Sequence, residues 1–131
     1  MKKLIATVLF AASLCLTACE KTANSGEAKA NLEGKGYIVE VLGSEETKAR
    51  IKGINYNVEI NDSVYAKKGS SEIFLAFYCN NAGDASAFVK ENISAMYHFA
   101  ETYIEDPKTG SYNNVAYVGS TTSIADAGFK L

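Results

Sequence analysis

The sequence predicts an α+β domain: a mostly antiparallel sheet of about four strands, with one long amphipathic helix packed on one face. Three stretches carry that expectation. Residues 54–61 (INYNVEIN) alternate apolar and polar at every step, the period of a strand with one buried and one wet face. Residues 72–79 (EIFLAFYC) are apolar in both registers, as expected of a central strand. Residues 85–104 place Ala85, Val89, Ile93, Met96, Ala100 and Tyr103 or Ile104 at steps of three and four, one stripe of a helix whose opposite face carries Glu91, Ser94, His98, Glu101 and Glu105.

The elements follow in order. The chain opens on Met1-Lys2-Lys3, and residues 4–16 (LIATVLFAASLCL) carry no charge. Thirteen residues are too few for a bilayer span, which takes about 20. A basic start, a short apolar run and small residues at its exit describe a secretory signal peptide over residues 1–18. The exit itself, Leu16-Thr17-Ala18-Cys19, is an aliphatic residue, two small ones and a thiol, and it resembles the lipobox of bacterial lipoprotein precursors. That resemblance implies that Cys19 becomes the lipidated first residue of the mature chain. Cys15 follows the bulky Leu14 and is expected to be only an apolar member of the signal. A diacylglyceryl cysteine supplies two acyl chains, enough for stable anchoring at about 0.8 kcal/mol per buried methylene. The expected location is the extracytoplasmic side of a cell membrane or outer membrane.

Residues 19–36 then read as a flexible tether, polar and small apart from Leu32, with one helical turn allowed after Ser25. Unstructured, such a linker reaches roughly 20–25 Å. The α+β domain is expected over residues 37–131. Residues 37–42 (YIVEVL) are β-rich and stop at Gly43, and residues 44–47 start a short turn of helix. The alternating strand 54–61 is joined to the strand 72–79 through the charged, glycine-bearing loop 66–71. Asp84 is the expected N-cap of the long helix, and residues 106–110 (DPKTG) end it in a turn. Residues 112–119 return as a strand, and residues 123–127 form a last short helix before Gly128.

Composition narrows the function classes. The chain has 13 basic and 15 acidic residues, and losing Lys2 and Lys3 with the signal leaves 11 against 15, a net charge of −4. No basic stripe is present to meet phosphates, so nucleic acid is not an expected partner. With Cys15 removed and Cys19 acylated, Cys79 has no cysteine to pair with, and the domain must hold by its core. Eight Tyr and six Phe against no Trp suggest an aromatic core with polar handles.

Candidate sites are few. Cys79 ends the apolar strand without a second Cys or an adjacent His, and is expected to be a buried apolar thiol. His98, the single histidine, lacks an HExxH partner set and is expected on a solvated surface. Glu101, Glu105 and Asp106 crowd a helix C-terminus without calcium-loop spacing and read as a solvated charged end. Neither a metal nor an organic cofactor is expected. Tyr97, Tyr103, Tyr112 and Tyr117 are expected near the last strand and the helix, either as a binding face or as a core rim.

Beyond the lipobox, Gly36-Tyr37-Ile38-Val39, the run from Phe74 to Cys79 into the Asp84 helix, and the ending Ala127-Gly128-Phe129-Lys130-Leu131 are similar to small lipoproteins of Gram-positive bacteria. That similarity implies no catalytic residue. Three functional expectations follow. The first is a non-catalytic envelope module that binds another envelope protein or a wall component. The second is an inhibitor or immunity-type protein against a wall-active enzyme. The third is a small thiol- or metal-dependent enzyme using Cys79 or His98.

Overall fold

Residues 19–36 are not a tether throughout. In the computed structural model, which describes residues 22–130, they contain helix α1 (Ser25–Gly34). The Asn24 side chain accepts from the Glu27 amide at 3.1 Å, which satisfies one of the free N–H groups of the first turn. Ala28 and Leu32, four residues apart on one face, are buried, Leu32 completely. Burying a leucine contributes roughly 1.5–3 kcal/mol, which no cluster of polar neighbours reveals. The expected signal peptide, residues 1–18, and Cys19 lie outside the described residues.

The chain turns at Gly36, whose φ of 93° suits glycine, into strand β1 (Ile38–Gly43) and helix α2 (Ser44–Arg50). Thr47 fixes α2 to the sheet: its Oγ1 bonds the Gly43 carbonyl at 2.8 Å and lies 2.7 Å from Ser63 Oγ. Strand β2 (Ile60–Lys68) and strand β3 (Glu72–Cys79) form the next hairpin. Helix α3 (Ala82–Glu101) follows, capped by Asn81, whose side chain accepts from the Asp84 amide at 2.8 Å. The cap is therefore Asn81 and not Asp84. Strands β4 (Lys108–Tyr112) and β5 (Val115–Gly119) and helix α4 (Thr121–Asp126) complete the described chain.

The five strands form one antiparallel sheet in the order β1-β2-β3-β5-β4. The α+β class is as expected, but two counts change. The expected strand 112–119 keeps only its later part as β5, and an extra strand, β4, starts at Lys108 inside the expected turn 106–110, because Asn113 takes a positive φ of 51° and reverses the chain between the two. Helices also cover both faces of the sheet instead of one. Leu75, Phe77, Cys79, Ala116 and Val118 meet Phe88, Met96 and Ala100 of α3. On the other face Phe74, Ala76, Tyr78, Val115 and Tyr117 meet Leu32 of α1 and Ile124 of α4. Strand β3, the middle of five, is buried from Ile73 to Cys79, which is why its sequence has no wet register.

The alternating segment also differs. Strand β2 begins only at Ile60, and residues 51–59 are largely irregular. Ile54, Tyr56 and Val58 pack against the α3 core as the period required. The segment is held by Asn92 of α3, which accepts from the Asn55 amide at 2.7 Å and donates to the Asn55 carbonyl at 2.9 Å. A side-chain clamp replaces the neighbouring strand.

Candidate functional site

Where α1 begins, the β3 end and the C-terminal segment converge around a hollow of about 190 Å³. Three elements build it. The entering chain is fixed by Asn114, whose Oδ1 accepts from the Ala23 amide at 2.8 Å and whose Nδ2 donates to the Ala23 carbonyl at 3.0 Å and the Cys79 carbonyl at 3.1 Å. Asn31 of α1 donates to the Ala127 carbonyl at 3.0 Å and so joins α1 to the segment after α4. Phe129 then folds back over the sheet, stacked on Phe74 at 5.9 Å and Tyr117 at 5.4 Å between ring centres, with Tyr112 edge-on at 6.1 Å.

The floor of the hollow is Tyr78, 2 % exposed. Its hydroxyl is buried without a hydrogen-bond partner, the one such side-chain atom among the described residues. An unmet buried hydroxyl costs on the order of 1–3 kcal/mol, so its position at a hollow is chemically meaningful. Burial pushes the Tyr78 phenol well above its ordinary range, and the charges of Asp62 and Glu27 push it further. It is therefore a neutral hydroxyl, able to donate and to accept. Among the described residues Glu27 is the one charged side chain lining the hollow. Asp62 stands beyond the lining and accepts from Ser25 Oγ at 2.7 Å.

The four tyrosines expected as a face are divided. Tyr112 is half exposed and lines this hollow, while Tyr117 is buried beneath Phe129 and donates from its hydroxyl to the Lys130 carbonyl at 3.0 Å. Tyr97 lies on α3 and Tyr103 just past its end, on the sheet's opposite side. Tyr103 packs on Phe99 and under the Lys67 ammonium, 4.9 Å from its ring centre. Near it, Ile38, Glu40, Tyr65 and Lys67 line a groove of about 440 Å³ beside edge strand β1.

Cys79 is fully buried. Burial and the charge of Asp84 push its thiol up to about 11, the reverse of what a nucleophilic cysteine needs. His98 is exposed on α3, as are Glu101, Glu105 and Asp106 beyond it, and Asp106 pairs with Lys108 at 3.5 Å. Among the described residues no group of three or more His, Cys, Asp or Glu side chains is placed to hold a metal ion, and no helix is long and apolar enough to cross a membrane. Sequence reasoning missed Tyr78, Glu27 and Phe129. The available signal was the tyrosine in an otherwise apolar strand. No protein-family model, curated protein or solved structure matches the chain.

Proposed function

We propose that the protein is a lipid-anchored module on the extracytoplasmic side of a bacterial envelope membrane, held through acylated Cys19, and that it acts there by binding and not by catalysis. The observation that carries the reading is the position of Ala23. This residue is bonded into the fold through Asn114 and stands four residues after Cys19 in the lipobox. Four residue steps span at most about 14 Å, shorter than the reach of the linker read from sequence. The anchor therefore keeps the α1 start and the adjacent hollow beside the headgroups. A net charge of −4 after processing gives the domain no attraction to anionic lipid, so attachment rests on the acyl chains. The inert Cys79 supports binding over thiol chemistry, and a wall component or another envelope protein is the expected partner class.

Intact mass of protein taken from a bacterial membrane fraction tests the anchor, compared with Cys19→Ala. The wild type is expected to begin at an acylated Cys19, with the variant retained as precursor. A soluble wild type with a free Cys19 thiol overturns the reading.

A further inference from the structure

We infer that the hollow at the start of α1 is a binding site for a small primary ammonium group, received by Glu27 and the Tyr78 hydroxyl, with Tyr112 and Phe129 flanking its apolar body. The inference rests on the reading of the domain as a binding module, and not on acylation of Cys19.

Four observations support it. The Tyr78 hydroxyl is buried at the floor of the hollow with no partner among the described residues, so a ligand donor there meets an acceptor that folding left unmet. Among the described residues the lining carries one charge, the Glu27 carboxylate, and no Lys or Arg, which disfavours an anion. The positive end of α1 does not reverse that sign, because the Glu27 amide is already taken by Asn24 and Glu27 itself sits in the first turn. Lastly, two aromatic rings, Tyr112 and Phe129, edge the hollow at 6.1 Å from each other. They offer faces on which a cation or its methylenes can rest. At about 190 Å³ the space exceeds what one water needs and suits a group of a few heavy atoms. Such an ammonium exists on free diamines and at the unlinked amine ends of wall peptides. The chemistry recognised is the same in both.

The test is titration of the ¹⁵N-labelled full chain, in detergent, with 1,5-diaminopentane, with soluble wall-peptide fragments, and with the same fragments after amine acetylation. Saturable shifts of the Ala23, Glu27 and Gly128 amides are expected with the ammonium probes and not with acetylated fragments. Tighter binding of the fragments than of the diamine assigns the wall as source, and the converse assigns a free amine. Glu27→Gln retains the backbone amide that Asn24 caps, and Tyr78→Phe retains the buried ring. Each is expected to fold as wild type and to weaken binding about tenfold, the effect of about 1.4 kcal/mol. Equal binding of acetylated fragments, wild-type affinity in both variants, or no saturable shift at millimolar probe overturns the proposal, the last result leaving only ordered water on Tyr78. None of these outcomes alters the mass of the anchored protein, so the anchor is judged separately.

Discussion

Replacing Asn114 with alanine probes the joint that fixes the chain where it enters the fold. The side chain is 4 % exposed and makes three hydrogen bonds of 2.8, 3.0 and 3.1 Å, two to the Ala23 backbone and one to the Cys79 carbonyl. A typical protein hydrogen bond contributes about 0.5–1.5 kcal/mol net. Ala23 is only half-buried, so water recovers part of what its two bonds supplied, and the summed loss is about 2–3 kcal/mol. For a domain of this size that lowers Tm by about 8–12 °C, at about 4 °C per kcal/mol. The backbone bond from the Cys79 amide to the Asn114 carbonyl at 2.7 Å does not involve the side chain and should survive. The loss is therefore local. Thermal unfolding followed by circular dichroism gives the Tm, and native-state amide exchange gives the location. Ala23 and the first turn of α1 should lose protection while β3 and β5 keep theirs. Asn114→Asp should behave no better, since a carboxylate cannot donate to either carbonyl. An unchanged Tm together with unchanged exchange at Ala23 refutes the account of how the chain enters the fold.

Two other outcomes follow from the same structure. Cys79 should resist alkylation by iodoacetamide in the native state at neutral pH and react only at the rate of unfolding, since its thiol is fully buried and pushed up to about 11; rapid native-state labelling contradicts that placement. Stability should also fall in alkali. Burial pushes Tyr56 up to about 12, and burial with the Tyr103 hydrogen bond does the same for Tyr65. For groups whose folded pKa is raised, the contribution is complete below the unfolded value and is lost as pH rises toward the folded one. Urea midpoints should thus hold steady to about pH 9, the ordinary thiol value, then decline as Cys79 and, above pH 10, the tyrosines of the unfolded chain ionise. A flat midpoint from pH 8 to 11 goes against it.

The parts of the fold legible in the sequence were those whose burial is long and regular. Strand β3 shows an unbroken apolar run and helix α3 a period of three and four, and both form where expected within a few residues. Segment 54–59 was legible for burial but not for pairing: Ile54, Tyr56 and Val58 pack inward, yet alternation says nothing about whether a neighbouring strand or a side-chain clamp such as Asn92 satisfies the backbone. Helix α1 was illegible for an energetic reason. Only two of its ten residues are buried, so its position comes from Leu32, Asn31 and Asn114 acting across the chain rather than from a stripe of its own. Once α1 docks, the second face of the sheet is covered and the hollow acquires a wall.

The site was hidden by the same long-range closure. Glu27 and Phe129 stand near opposite ends of the sequence of the domain although they line one hollow, and no local pattern links them to Tyr78. What the strand does offer is a chemical inconsistency. A buried hydroxyl in an apolar run must either reach a partner or accept the cost of having none, and phenylalanine would fill the same space without that cost. Among the described residues Tyr78 has no partner, and the space above it carries one carboxylate and two aromatic rings. If packing alone governed the position, Tyr78→Phe would stabilise the domain and change nothing else. If the hydroxyl is kept for a ligand, the same substitution gains stability and loses binding together. That opposite movement of two measurements on one variant separates a site from a core residue.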